Sequence, residues 1–98
     1  MVIGVCRIRL RLPENQSLKG KRAVLKSLIA RLQNKFKVSV AEVGDNDSWQ
    51  LATIGAACIS NDERHANQVL AAIVNFVRSE RLDAEILDVE TEIIDGLN

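Results

Sequence analysis

The run Ser17-Leu18-Lys19-Gly20-Lys21-Arg22, followed by Lys26, puts four cations within a few residues of a helix-capping residue type. Ammonium and guanidinium groups so spaced do one kind of chemistry: they bind anions, phosphates above all. If Ser17 is an N-cap, the free N–H groups of the first turn and the positive end of the helix dipole favour an anion at the same place. Lys19, Lys21 and Arg22 stand against that dipole, and a sequence that accepts such a local penalty often has a ligand to offset it. On a helical wheel Lys19, Arg22 and Lys26 lie within about 60° of one another, with Lys21, Arg31 and Lys35 flanking the other side. The candidate phosphate- or RNA-binding residues are therefore Lys19, Lys21, Arg22 and Lys26. The competing reading is a solvated face that pairs with acids elsewhere, such as Glu14.

Other reactive residue types are sparse. His65 is the one histidine and falls in the first turn of a helix, where a surface position is expected. Cys6 and Cys58 sit in apolar stretches and read as small reduced hydrophobes. One histidine and two cysteines give no recognisable metal-site spacing. Asp45, Asp47 and Asp62 match no calcium loop, and no glycine-rich phosphate loop is present. The reading is of a non-enzymatic protein that needs no cofactor and no metal.

The elements that must position these residues follow from period. Val2 to Leu12 alternates apolar positions with Arg7, Arg9 and Arg11, as a strand with one buried face does, and Pro13 closes it. Leu18, Leu25, Leu28, Ile29, Leu32 and Phe36 form a stripe that predicts a helix over 18–36. Val38 to Val43 is a short strand, 44–48 a hairpin loop, and Trp49 to Ile59 a central strand of small apolar residues. Ser60-Asn61-Asp62-Glu63 has the spacing of a capping box. The helix after it turns Ala66, Val69, Leu70, Ile73 and Val77 to one face and ends near Arg78-Ser79. Ala84 to Ile94 is the last strand, with Leu87, Val89, Thr91 and Ile93 inward and Asp88, Glu90 and Glu92 outward. The order βαββαβ predicts an α+β, ferredoxin-like sandwich: an antiparallel four-stranded sheet ordered 4-1-3-2, with both helices on one face. One domain spans 1–94, and 95–98 form a frayed tail.

Charge divides along the chain. Residues 1–37 hold ten basic side chains and one acid, a net +9, whereas 38–98 hold three basic side chains and twelve acids, a net −9. With the first and last strands paired, Arg7 is expected opposite Glu92, Arg9 opposite Glu90 and Arg11 opposite Asp88, so part of the asymmetry neutralises itself inside the fold. Trp49, beside the hairpin loop, is the one candidate base-stacking platform, and packing at the edge of the core is the favoured reading of it. Three aromatics in the whole chain argue against base recognition on the sheet. Leu51, Thr53, Gly55 and Ala57, with Ile3 and Val5, leave a flat apolar strip on the open face, the expected contact of a homodimer. A hydrophobic content of 47% excludes disorder. No apolar run approaches the roughly 20 residues of a membrane span, and no signal peptide is visible, so no membrane partner and a cytoplasmic location are expected.

The block Ser17-Leu18-Lys19-Gly20-Lys21-Arg22, with Val24, Lys26-Ser27-Leu28, Arg31-Leu32, Val38-Ser39-Val40-Ala41-Glu42-Val43 and Ser60-Asn61-Asp62, resembles the YlxP-like family (domain of unknown function 503). The likeness runs from Val2 to about Glu92. It implies a ferredoxin-like fold and assigns no activity. Genes of that family often lie beside those of translation initiation and ribosome maturation factors, which implies RNA or a ribosomal particle as partner. Gly20 departs from the family's polar residue, and a slightly looser first turn is expected there. The leading function is RNA or ribosome binding through phosphates; the alternative is an assembly module that homodimerises by its sheet.

Overall fold

In the computed structural model of the chain, which describes residues 1–80 and 84–97, the element order is β1 (Val2–Arg11), α1 (Leu18–Phe36), β2 (Ser39–Gly44), β3 (Leu51–Ser60), α2 (Glu63–Ser79) and β4 (Glu85–Asp95). The sheet is antiparallel and ordered β2-β3-β1-β4, and both helices cover one face of it. This is the ferredoxin-like α+β sandwich. Its core gathers Cys6, Ile8 and Leu10 of β1 with Ala52, Ile54 and Ala56 of β3 beneath Leu25, Leu28 and Leu32 of α1 and Leu70, Ile73 and Val77 of α2. Each fully buried Leu or Ile contributes roughly 1.5–3 kcal/mol relative to exposure, and together they hold the two layers.

Four local expectations need correction. The N-cap of α2 is Asp62, whose carboxylate accepts from Arg64 N at 3.0 Å; Ser60 instead accepts from Asp62 N at 3.0 Å and turns the chain before the helix. In β4, Leu87 is the extra residue of a bulge between the Arg9–Asp88 and Leu10–Ile86 pairs. Leu87 is therefore exposed, and Ile86 takes the inward position. The register of β1 on β4 is also displaced, by two residues before the bulge and three beyond it, so Arg7 lies opposite Glu90, Arg9 opposite Asp88 and Arg11 opposite Glu85. A shift of two preserves which face each residue occupies. It also places the bulky Ile93 opposite Gly4 and Val89 opposite Ile8. At the end of the chain Asp95 still pairs with Val2 and Gly96 N donates to Met1 O at 2.9 Å, so the strand continues into the expected tail. Asn98 of that tail, and Arg81 and Asp83 of the charge count, lie outside the described residues.

Candidate functional site

The start of α1 is assembled from three segments. Ser17 is extended (φ −156°, ψ 155°), and its hydroxyl accepts from Gly20 N at 3.0 Å, a regular N-cap. Asn15, in the connection before it, donates through Nδ2 to Ser17 O and to Trp49 O, each at 2.6 Å. Gln50 Nε2 reaches Pro13 O at 3.1 Å, and Leu12 N donates to Gln50 O at 2.7 Å. The helix start and the approach to β3 are thereby tied together. Gly20 suits this closeness, since a Cβ there would run into Asn15 Oδ1, which its own amide bonds hold in place. The first turn is tight at this glycine, contrary to the looser start expected.

Lys21 does not join its neighbours at the surface. Its side chain is 0% exposed. The ammonium donates to three carbonyls of the β2–β3 hairpin, Asp45 O at 2.8 Å, Leu51 O at 3.2 Å and Asn46 O at 3.4 Å, and lies 3.0 Å from Glu42 Oε2. Its three N–H groups are committed to the carbonyls, so the carboxylate pairs with it by charge without a hydrogen bond. The expected place of Lys21 in an exposed patch is thus overturned. A sequence signal for this existed: Lys21 precedes Leu25, Leu28 and Leu32 at spacings of 4, 7 and 11, the centre of the buried stripe. Glu42 shares the inward parity of Val38 and Val40. Two opposite charges at inward positions of packed elements are the mark of a buried pair.

Lys19, Arg22 and Lys26 are exposed, on the side of α1 away from that stripe. The first turn holds no acidic residue, and among the described residues none of the three cations has an ion pair, with Glu14 or any other acid. Farther along the helix the cations are engaged. Arg31 bonds Glu80 at 2.8 Å and Ser27 Oγ at 3.3 Å, and the Lys35 ammonium stands 5.5 Å from the Phe76 ring and 5.9 Å from that of Phe36. The structure therefore brings three of the four candidate residues onto one surface and withdraws the fourth.

The three arginines of β1 are paired, as the self-neutralising reading expected, with different partners. Arg7 bonds Glu90 at 2.5 Å, and Arg11 lies 3.6 Å from Glu85. Arg9 turns from Asp88 to Asp45, at 3.3 Å, whose carboxylate also accepts from Thr53 Oγ1 at 2.6 Å. Those bonds, the Thr53 hydroxyl's first, hold the Asp45 carboxyl below its ordinary value. Asp45 has a left-handed backbone (φ 59°), which Asp tolerates. Arg7, Arg9, Asp45, Thr53, Asp88 and Glu90 line an open depression of about 510 Å³ on the free face of the sheet. Beside it lies an apolar strip that keeps Val5, Gly55 and Ala57 of the expected one and adds Ala41 and Val43, while Thr53 lines the depression instead.

Trp49 is not packed at the core edge as expected; it is 57% exposed. His65 is exposed, with Nδ1 3.3 Å from Ser60 Oγ. Cys6 and Cys58 are free thiols, and burial pushes that of Cys6 up, away from the reactive thiolate. Among the described residues no group of three or more His, Cys, Asp or Glu is placed to hold a metal ion, and no helix is long and apolar enough to cross a membrane.

Comparison with known proteins gives two findings. The family model described as "Protein of unknown function (DUF503)" matches residues 3–91. The "Uncharacterized protein YlxP" of Bacillus subtilis (strain 168) is 46% identical over 69 residues, covering 66% of this chain and 75% of that protein.

Proposed function

The chain belongs to the DUF503 family, and from the surface its own residues create we propose a small non-enzymatic binding protein that engages RNA or a ribosomal particle through phosphate groups. One observation carries this reading: Lys19, Arg22 and Lys26 stand exposed on one helix face without a carboxylate partner among the described residues. The other cations of α1 are committed to carbonyls, carboxylates or rings. Holding three like charges together costs free energy that a polyanion recovers, with release of its condensed counterions. Changing Lys19, Arg22 and Lys26 together to Ala leaves the fold intact, since exposed positions of this kind alter stability by less than about 0.5 kcal/mol each. RNA affinity measured against salt then falls at low salt, and the log–log slope flattens by roughly 2–3, one counterion-release increment per lost phosphate contact. An unchanged slope, or no association by the unaltered protein at low salt, rejects the reading.

A second reading, homodimerisation through the open sheet, is favoured by apolar exposure: Val43 is 56% and Ile59 72% exposed on that face. Sheet contacts of this kind survive high salt whereas phosphate contacts weaken, so the mass in solution at both salt extremes separates the two.

A further inference from the structure

The one tryptophan of the chain is exposed, its backbone is tied to the cap of α1 whose first two turns carry the unpaired cations, and its ring has no partner among the described residues. The ring belongs neither to the core cluster nor to the apolar side chains packed against it, although tryptophan is highly buried on average. The approach that carries it is nevertheless well held. Ser48 Oγ accepts from Leu51 N at 3.0 Å and Gln50 N at 3.3 Å, Gln50 bonds the 13–15 connection, and Asn15 Nδ2 bonds Trp49 O. The same Nδ2 bonds Ser17 O, so the backbone at Trp49 and the cap of α1 are no farther apart than two hydrogen bonds. Lys19 and Arg22 follow that cap within two turns of helix. An exposed aromatic ring on a well-held backbone, joined to a helix start that carries free cations, offers what an unpaired nucleotide needs, with the base on the ring and its phosphates on the cations. A duplex, with its bases stacked inside, gains nothing from the ring.

We propose that this end of the molecule selects single-stranded over duplex nucleic acid, Trp49 stacking one unpaired base while Lys19 and Arg22 hold the adjoining phosphates. The proposal rests on the phosphate-binding reading above and adds to it the strandedness of the ligand and a residue outside the basic cluster. RNA and DNA supply the same base and phosphate chemistry, so single strands of both, in one mixed sequence of 12 nucleotides, are the probes, beside the RNA duplex of that sequence.

The full chain is titrated with each at low salt, by anisotropy of the labelled oligonucleotide and by intrinsic fluorescence, which Trp49 alone dominates. The expected result is binding of the single strand with quenching of Trp49, and weaker binding of the duplex without quenching. Trp49→Ala lowers single-strand affinity roughly 5- to 150-fold, the range of a lost base–aromatic stack, and leaves duplex affinity unchanged. Trp49→Phe, which keeps a ring, restores most of the loss. Tighter binding of RNA than DNA places the 2′-hydroxyl in the contact, and equal binding assigns the contact to base and phosphate alone; either supports single-strand selection. Equal affinity for single strand and duplex, with Trp49→Ala indistinguishable from the unaltered protein, overturns this inference and leaves the phosphate-binding reading standing. No binding of any probe overturns both.

Discussion

Lys21 is a full positive charge carried at the centre of an apolar helix stripe, and its surroundings decide whether it stabilises or disrupts. Three hairpin carbonyls and the Glu42 carboxylate replace the water it gives up. Removing one member of a buried pair leaves the other uncompensated, at about 3–5 kcal/mol. Lys21→Ala should therefore destabilise the protein by that order in urea unfolding, against less than about 0.5 kcal/mol for Lys26→Ala. The double change Lys21→Met with Glu42→Leu should recover most of the loss, because it removes both charges and keeps the volume. Asp45 supplies a second residue-scale test. Its carboxyl lies below the ordinary value of 3.8, with the Thr53 hydroxyl the largest cause. A depressed carboxyl contributes stability that is complete above the ordinary carboxylate range and is lost as pH falls through the folded value. Thr53→Val should thus be less stable than the unaltered protein at neutral pH, with the gap narrowing as pH drops below about 4. A gap that stays constant in acid-series unfolding would count against the Asp45–Thr53 bond.

Among the elements, the pairing of β1 with β4 offers a test that tells two registers apart. Arg7 faces Glu90 in the structure, not Glu92. Arg7→Glu should cost up to about 1 kcal/mol through like-charge contact, as exposed cross-strand pairs do. Adding Glu90→Arg should restore that stability, and adding Glu92→Arg should restore much less. The start of α1 gives the other element-scale prediction. Alanine is normally the better helix residue by about 0.5–1 kcal/mol, yet Gly20→Ala should destabilise, because its Cβ meets Asn15 Oδ1. With Asn15→Ala already in place the sign should reverse, and Gly20→Ala should raise the melting temperature. The same sign in both backgrounds would mean that Asn15 does not set the requirement for glycine.

Across the whole molecule, the charge split of the chain resolves into two unlike parts. Five of the ten basic residues in the first 37, Arg7, Arg9, Arg11, Lys21 and Arg31, pair with acids from the second part, so folding itself neutralises half of the excess. The remainder is Lys19, Arg22, Lys26, Lys35 and Lys37, all on α1 or its C-cap. A net charge of zero therefore coexists with a basic helix on one layer and an acidic edge strand, β4, on the other. On the phosphate-binding proposal, such a molecule would meet a polyanion in one orientation, helix α1 first.

The alternation of β1, the stripes of α1 and α2 and the small apolar run of β3 were enough to determine the element order and the sheet topology. They record which face of each element must leave water, and the ferredoxin-like sandwich buries all of those faces at once. The N-cap at Ser17 was equally legible, because capping is a local bond between neighbours. Period does not determine register: a slip of two residues keeps every side chain on its face, so only packing, with Ile93 over Gly4 and a bulge that frees Leu87, selects the Arg7–Glu90 pairing. The candidate site divided in the same way. Exposure of Lys19, Arg22 and Lys26 followed from their angle on the wheel. The same wheel put Lys21 at the centre of the buried stripe, but the partners that let a charge be buried there, Glu42 and three carbonyls, lie more than twenty residues away. Trp49 is open to solvent where Asn15, distant in sequence, bonds its backbone carbonyl. A charge or a ring takes its environment from groups distant in sequence, so its role was settled only when the chain had closed around it.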